Sequence, residues 1–393
     1  MSGVTLRRVY LDWNATAPLR AEAREAMLRA MDAVGNPSSV HGEGREAKAI
    51  IETARGQVAR LLDVDRDHVV FTSGATEAMA LVADGNEVAT EIEHDCVLQH
   101  VDLAGRLAIG AQWFDISAEG RVSLTAAGLE GFDQHPSARI CLQAANSETG
   151  VLQHGDALAL APDRLVCDAA QAVGRLAKDE IGVEADFTLV SGHKFGGPKG
   201  VGALIARRPI PTAPRLPGGG QEQGRRSGTE NVIGIAGFGA AASAALRDLE
   251  QGLWDRVAEL RNILESALEA AAPDVIFAGR GAGRLPNTTC FAVPGWRGET
   301  QVMQLDLAGF AVSAGSACSS GKVRESRVLR AMGWDGDAAS SAIRVSLGPT
   351  TTEAEVRAFV EAWTGLYRRR RARQGTAAGR GWRAGQGDGH DRS

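Results

Sequence analysis

Residues 191–200 read Ser-Gly-His-Lys-Phe-Gly-Gly-Pro-Lys-Gly and follow an apolar run at 187–190, Phe-Thr-Leu-Val. The apolar run is typical of the end of a buried strand, and the glycines and the proline predict a tight loop after it. Lys194 lies in this loop. A lysine held at a strand end among small residues can approach a bound carbonyl compound closely enough to form a Schiff base. A glycine-rich surface turn with an exposed lysine is the alternative, and this stretch alone leaves both interpretations open.

A second strand candidate, at 165–167, ends in Asp168, and Gln171 follows three residues later. A carboxylate at a strand end is a natural partner for the protonated pyridine nitrogen of pyridoxal phosphate. Strands alternate with helical stretches over roughly 70–210, which predicts an α/β fold with a mainly parallel sheet. The carboxyl edge of such a sheet is where ligands bind, and we expect Asp168 and Lys194 to meet there.

A phosphate site is predicted at 72–78, Thr-Ser-Gly-Ala-Thr-Glu-Ala, which follows the strand candidate 68–71. The order is strand, small-residue turn and helix start. Backbone N–H groups of Gly74, Ala75 and Thr76, with the Thr76 hydroxyl, would bind an anion there. An ordinary helix N-cap is the alternative.

The composition excludes several classes of protein. The chain has 393 residues, of which 44% are hydrophobic and 23% charged, and a net charge of −5, so we expect a globular protein that does not bind nucleic acid. No apolar run approaches the about 20 residues needed to span a membrane, and residues 1–12 lack a signal-peptide core, which predicts a cytoplasmic protein without a membrane anchor. No metal site is expected, because no C-x-x-C pair occurs among Cys96, Cys141, Cys167, Cys290 and Cys318.

The residues after about 250 predict a second, smaller domain that carries a reactive thiol. Cys318 lies in a loop of small polar residues at 313–321, whereas the other four cysteines lie in or beside apolar segments and are expected to be buried and inert. An incidental surface cysteine is the alternative. Arg344 lies inside the alternating strand 343–347 and needs an anionic partner, either a substrate carboxylate or a structural carboxylate.

These observations set the expected domain boundaries. We predict a large domain at 15–250, a small domain made of 1–14 and 251–367, and a disordered arginine- and glycine-rich tail at 368–393 that starts with four consecutive arginines.

The polar and glycine-rich segments, taken together, resemble those of the cysteine desulfurases, which are class V members of the fold-type I pyridoxal-phosphate enzymes. They occur in the family's order, and they cover nearly the whole chain except the tail. The matching segments are 10–18, 35–41, 71–77, 93–94, 146–150, 168–171, 191–200, 218–231, 313–320 and 343–348. The resemblance implies a large domain with a mainly parallel sheet of the seven-stranded type, and a smaller α+β domain.

The resemblance also implies the cofactor-binding residues. Lys194 would form the Schiff base with pyridoxal phosphate and move protons, Asp168 would hold the pyridinium, His94 would stack on the ring, and Gln171 would bond the phenolic oxygen. The phosphate would be bound by Gly74, Ala75, Thr76, Ser191 and His193, with Thr229 reaching in from the second subunit of a homodimer.

The substrate implied by the resemblance is L-cysteine. Arg344, with Asn146 and Ser147, would bind its carboxylate, and Cys318 would attack its sulfur and carry it as a persulfide to an acceptor, such as an iron–sulfur scaffold protein. Two features depart from the family. Ser147 stands where the family usually has a second asparagine, and the segment 78–92 is short.

Three alternative functions stay open at this point. The first is a selenocysteine lyase and the second is another class V lyase or aminotransferase; either depends less on Cys318. The third is a weakly active scaffold homologue that keeps the fold, which the presence of Lys194, Asp168, His94, Arg344 and Cys318 argues against.

Overall fold

The computed structural model describes residues 8–105, 107–153, 164–181, 184–210, 215–315 and 325–384, with the backbone alone at 107–108 and 375–384. The predicted nucleophile Cys318 and the end of the predicted tail, 385–393, lie outside the described residues.

The strands and helices alternate along most of the chain. The strands are β1 Val9–Tyr10, β2 Val69–Thr72, β3 Glu87–Ala89, β4 Phe114–Ile116, β5 Val122–Leu124, β6 Arg139–Gln143, β7 Leu165–Asp168, β8 Phe187–Ser191, β9 Gly202–Ala206, β10 Ile276–Phe277, β11 Thr288–Ala292, β12 Phe310–Ala311, β13 Ser313–Ala314 and β14 Ala342–Ser346. The helices are α1 Ala21–Met31, α2 Gly42–Leu62, α3 Ala75–Val82, α4 Asp95–Leu103, α5 Leu107–Trp113, α6 Ala126–Gln134, α7 Val232–Glu250, α8 Leu253–Ala271, α9 Gly298–Leu307, α10 Arg327–Ala331, α11 Gly336–Ser341 and α12 Glu353–Ala384.

A central sheet has the strand order β2-β9-β8-β7-β6-β3. Strand β9 is antiparallel to both of its neighbours, and the pairs β8–β7, β7–β6 and β6–β3 are parallel. The predicted α/β fold with a mainly parallel sheet is therefore confirmed. The described part of this sheet has six strands where the resemblance implied seven. Strand β4 pairs with β5 in a separate ribbon and does not extend the sheet beyond β3, whose three residues offer only a short edge.

The register of the sheet brings the polar strand ends together. Gln143 on β6 pairs with Asp168 on β7, and Ser191 at the end of β8 pairs with Gly202. Because β6, β7 and β8 run in the same direction, their carboxyl ends lie at one edge. The loop with Lys194 starts from that edge, as the sequence predicted.

Helix α7 packs against α1 and α2 and depends on glycine to do so. A Cβ atom at Gly239 would lie 2.6 Å from Ala54 Cα, and one at Gly237 would lie 2.6 Å from Met27 Cγ. Within the described residues, α7 is the one helix whose length and apolar composition would suffice to cross a membrane, and half of that stretch is buried in the protein.

A second core lies in the part of the chain that we expected to form the small domain. Its sheet has the order β10-β11-β14-β13, with every adjacent pair antiparallel. Trp363 on α12 is fully buried there, stacked on Tyr367 and edge-on to Phe291. Strand β1 joins this region by pairing with β12. The domain boundaries themselves stay a prediction.

The sequence predicted a disordered tail from residue 368, and the structure has a helix over residues 368–384. Helix α12 continues through the four arginines to Ala384. Arg370 lies over the Trp296 ring, and Arg371 pairs with Asp274 at 3.7 Å. Alanine and arginine are good helix formers, which favours the continuation of the helix through residues 368–373.

Candidate active site

A cavity of about 700 Å³ lies at the carboxyl edge of the central sheet, beside the second core. Most of the predicted site residues line it: Gly74, Ala75, Thr76, His94, Ser147, Asp168, Gln171, Ser191, His193, Lys194 and Arg344. Residues that we did not predict also line it, among them Asn14, Thr16, Glu148 and Lys199.

Lys194 ends a single 3₁₀ turn that leaves β8. This turn packs tightly, because a Cβ atom at Gly192 would lie 2.8 Å from the ring of Phe238. The Lys194 ammonium donates hydrogen bonds to the carbonyl oxygens of Asn14 at 2.8 Å and Ala15 at 3.1 Å. The chain segment before α1 therefore fixes the direction of this amine within the cavity.

Asp168 and Gln171 follow β7 on the same side of the cavity. The Asp168 side chain is 8% exposed, and one of its oxygens accepts a hydrogen bond from the Ala170 N–H at 3.0 Å. The Gln171 Nε2 donates to the Asn14 carbonyl at 3.0 Å. Its Oε1 accepts a hydrogen bond from Arg175. The Gln171 carboxamide is thus held at both ends.

The two histidines of the site are both held through Nδ1. The Cys96 N–H donates to Nδ1 of His94 at 3.1 Å, so in neutral His94 the proton lies on Nε2. Nδ1 of His193 lies 3.1 Å from the Thr16 hydroxyl. Burial, together with the positive charges of Lys194, Lys199 and Arg175, lowers the pKa of His193 to about 4. His193 is therefore neutral at pH 7.

The predicted phosphate corner is built on close contacts between glycines. A Cβ atom at Gly202 would lie 2.7 Å from Cα of Gly74, and one at Gly74 would lie 3.8 Å from the Ser191 hydroxyl. Helix α3 begins at Ala75, directly after Gly74, so its first-turn N–H groups and its positive dipole end face this corner. Lys199 lines the same cavity and adds a cation. The corner suits an anion.

Arg344 lies on β14 at the other side of the cavity and is 9% exposed. Its Nη2 donates to Asp12 at 2.8 Å, and its Nη1 donates to the Ser147 carbonyl at 2.9 Å. Asp12 is held in turn by the Ser313 hydroxyl at 2.8 Å. The buried Nε of Arg344 has no hydrogen-bond partner among the described residues. A structural ion pair is therefore present, and the guanidinium keeps unused donors for a ligand.

Asn146 does not line the cavity, although we predicted that it binds the substrate. It is 1% exposed, and its Oδ1 accepts hydrogen bonds from the N–H groups of Glu148 and Thr149, both at 2.9 Å. Its amide nitrogen donates to the Ile92 carbonyl at 3.2 Å. Asn146 builds the turn, whereas Ser147 lines the cavity and offers its carbonyl to Arg344.

Glu148 is a carboxyl at the cavity wall that titrates near neutrality. Burial raises its pKa to about 7, against the opposing effects of the Ser326 hydrogen bond, Arg344 and Arg327. The Ser326 hydroxyl donates to Oε2 at 2.5 Å. Asp95 is the acidic neighbour that raises this pKa further.

Two predicted site residues remain, Thr229 and Cys318. Thr229 is exposed and does not line the cavity, and its reach into a second subunit stays a prediction. Cys318 lies outside the described residues. The other cysteines, Cys96, Cys141, Cys167 and Cys290, are buried as predicted, and burial raises the pKa of each thiol. Within the described ranges, no group of histidine, cysteine or acidic side chains could hold a metal ion.

Sequence reasoning missed residues whose role depends on packing. The turn at 13–18 was part of the resemblance, but nothing in it indicated that the Asn14 carbonyl receives both Lys194 and Gln171. Arg175 stands four residues after Gln171, and this spacing was the one available signal for their contact.

Comparison with known proteins gives consistent matches over nearly the whole chain. The sequence matches the family described as aminotransferase class-V over residues 9–359. A cysteine desulfurase of Cereibacter sphaeroides is 40% identical over 375 residues, which cover 91% of this chain and 95% of that protein. Cysteine desulfurase IscS of Dictyoglomus turgidum is 36% identical over 367 residues, covering 89% and 92%. The X-ray structure of a NifS-like protein from Rickettsia africae matches with a TM-score of 0.79 at 32% identity, covering 92% of this chain and 99% of that one.

Proposed function

Since the chain belongs to the aminotransferase class-V family, as the sequence predicted, and its relatives include proteins named cysteine desulfurase, we propose that it is a pyridoxal-phosphate-dependent cysteine desulfurase. The proposed reaction converts L-cysteine to L-alanine and leaves the sulfur on the enzyme as a persulfide. The observation that carries the proposal is one cavity with an anion corner, a lysine beside a strand-end carboxylate, and an arginine with unused donors.

The residues of the cavity fit pyridoxal phosphate. Glycine at 74 leaves the anion corner open, since a Cβ atom there would meet only the Ser191 hydroxyl at 3.8 Å. Glycine at 202 lets β9 approach the Gly74 backbone, with which any side chain at 202 would collide. Ser191, Thr76 and the first turn of α3 would hold the phosphate there. Asp168 would hold the pyridine nitrogen, Gln171 the phenolic oxygen, and Lys194 the aldehyde carbon.

The chain's own side chains would divide the remaining tasks. The cofactor, when bound, supplies an electron sink that weakens the C–S bond of cysteine. Arg344 would bind the substrate carboxylate, while Asp12 and the Ser147 carbonyl keep its guanidinium in place. Lys194 would move protons at its Nζ. His193 is neutral at pH 7, so its ring can form a hydrogen bond with the Thr16 hydroxyl without placing a second positive charge beside Lys194.

The proposed sulfur transfer balances without a further reactant. The C–S bond of cysteine breaks and an S–S bond forms to Cys318, the thiol proton replaces the sulfur on the product, and alanine leaves. The assignment of Cys318 rests on the resemblance. The described cysteines are poor nucleophiles, because burial raises their thiol pKa and the thiolate is the reactive form.

The partners belong to the same proposal. We expect a cytoplasmic homodimer in which Thr229 contributes to the partner's phosphate site. The persulfide would pass to an acceptor for iron–sulfur cluster or thiolated-cofactor synthesis.

The test measures alanine and sulfide released from L-cysteine in the presence of a thiol reductant. Wild type is expected to release both in equal amounts, Cys318→Ala to release neither, and Cys96→Ala to keep the activity. Cys96 is the matched control because it lines the same cavity with a thiol that burial keeps protonated. An active Cys318→Ala variant would contradict the persulfide step, and a preference for L-selenocysteine in that variant would support a selenocysteine lyase instead.

A further inference from the structure

We propose that Arg175 is a positioning residue of the cofactor site, which locks the Gln171 carboxamide and the Lys194 backbone and holds a fixed positive charge behind them. The inference rests on the proposed function, because it assigns to Arg175 an effect on bound pyridoxal phosphate. Nothing in the resemblance pointed to this residue.

The geometry of Arg175 ties three chain segments together. Its side chain is buried, with the residue 3% exposed. Its Nη1 donates to both the backbone oxygen and the Oε1 of Gln171, the former at 2.9 Å. Its Nη2 donates to the Lys194 carbonyl at 2.9 Å and to the Trp13 carbonyl at 3.4 Å. One planar guanidinium therefore fixes the backbone of Trp13, the side chain of Gln171 and the backbone of Lys194.

The contact with Gln171 also decides which way the carboxamide faces. An amide has an accepting end and a donating end of nearly equal size. Because Arg175 can only donate, it selects the oxygen of Gln171, and the Nε2 must point towards the Asn14 carbonyl and the cavity. A lysine at 175 has a single nitrogen and cannot span these acceptors in the same plane.

The charge of Arg175 distinguishes it from the other buried arginines. Arg55 is paired with Glu222, Arg139 with Glu87, and Arg284 with Glu265. In the part of the chain that the structure describes, no carboxylate forms an ion pair with Arg175, and its acceptors are neutral amide oxygens.

Burial, with a smaller effect of Arg344, lowers the pKa of Arg175 to about 9, so the group is still charged at pH 7. A buried charge without a counter-ion is unfavourable, and an anionic ligand in the adjacent cavity would relieve this cost.

The test compares wild type, Arg175→Met and Arg175→Lys with the control Arg261→Met. Arg261 also donates to a backbone carbonyl, that of Leu285 at 2.9 Å, but Leu285 does not line the cavity, whereas Gln171 and Lys194, the partners of Arg175, do. Three quantities are measured for each protein: the dissociation constant of pyridoxal phosphate, the pKa of the visible absorption band of the bound cofactor, and the unfolding midpoint without cofactor.

Arg175→Met is expected to weaken cofactor binding about tenfold and to raise the pKa of the band by about one unit, because a neighbouring positive charge is lost. Arg175→Lys is expected to keep the pKa of the absorption band, because lysine keeps the positive charge. It is expected to lose about tenfold in kcat/KM, because a single ammonium nitrogen cannot replace the planar guanidinium. Arg261→Met should leave cofactor affinity and the band unchanged.

The proposal is overturned if Arg175→Met binds the cofactor with wild-type affinity and an unchanged band pKa. If this variant does not fold, an Arg175→Lys protein with wild-type affinity and wild-type kcat/KM overturns it equally. A wild type that binds no pyridoxal phosphate refutes the proposed function itself, which is a different result.

Discussion

Arg344→Gln is the substitution that tests the substrate side of the cavity most directly. It removes the charge of Arg344 and keeps a side chain that can still donate to the Ser147 carbonyl. Two effects are expected. The substrate carboxylate loses its cation, and Asp12 loses the partner that lies 2.8 Å away. The first effect lowers activity, and the second lowers stability.

The magnitude follows from the unused donors of the guanidinium. Each hydrogen bond to a charged group contributes about 1.5–3 kcal/mol, and a carboxylate on Arg344 would accept two. A loss of about 3 kcal/mol corresponds to a fall of about 150-fold in kcat/KM for L-cysteine. The loss for cysteamine, which has no carboxylate, should be less than about threefold. The Asp12 side chain keeps its bond to Ser313, so we expect the free energy of unfolding to fall by about 1–3 kcal/mol.

Arg284→Gln is the matched control for stability. The Arg284 side chain is 5% exposed against 11% for Arg344, and it forms a two-bond pair with Glu265 outside the cavity. Arg284→Gln should lower the unfolding midpoint and leave KM for L-cysteine unchanged. The reasoning is refuted if Arg344→Gln and Arg284→Gln have the same kcat/KM for L-cysteine, or if Arg344→Gln loses as much activity on cysteamine as on cysteine.

Three other substitutions test the site and the core. Asp168→Asn should retain bound cofactor but lower kcat at least about 100-fold, measured as alanine release, because the pyridinium loses its carboxylate. Wild type is expected to show a rise in KM for L-cysteine between pH 6 and pH 8, since the ionised Glu148 carboxylate opposes the charge of Arg344 above its pKa of about 7, and Glu148→Gln should remove this rise. Because the folded-state pKa of Glu148 is raised, its contribution to stability falls as the pH rises from 4.5 to about 7. The melting temperature of Glu148→Gln should therefore depend less on pH over that window than the melting temperature of wild type. Glu222→Gln should lower the free energy of unfolding by about 3 kcal/mol in denaturant titrations, because buried Arg55 loses its two-bond partner and keeps only the half-exposed Glu52 at 3.2 Å. Removing the exposed pair of Arg8 and Asp306 should cost under about 1 kcal/mol.

The parts of the fold that were predictable are those with strong local patterns. Helix α8, Leu253–Ala271, is predictable from the sequence, because its apolar residues recur at helical spacing. The region 95–135 was not predicted in the same way. There the seven residues of α5 pass directly into the three of β4, so the stretch 107–116 contains both elements and shows neither period for long enough.

The candidate site divides along a similar line. Lys194, Asp168 and Ser191 were predictable because parallel strands deliver their carboxyl ends to one edge of the sheet. Three other features depend on which atoms meet when the chain packs. They are the burial of the Asn146 side chain in its own turn, the hydrogen bonds that the Asn14 carbonyl accepts, and the contact of Arg175 with Gln171. Residue types alone do not specify such contacts, since each of these residues could equally face solvent.

The distribution of charge connects these observations. The anion corner lies against α3 and β8 of the central sheet, whereas Arg344 is on β14 of the second core. A ligand that carries a phosphate at one end and a carboxylate at the other would therefore bridge the two cores. Lys194 supplies positive charge within the cavity, Arg175 supplies it from behind the Lys194 backbone, and Asp168 supplies a carboxylate for a pyridinium. Cofactor and substrate together should then stabilise the protein more than the cofactor alone, because only the pair engages both cores.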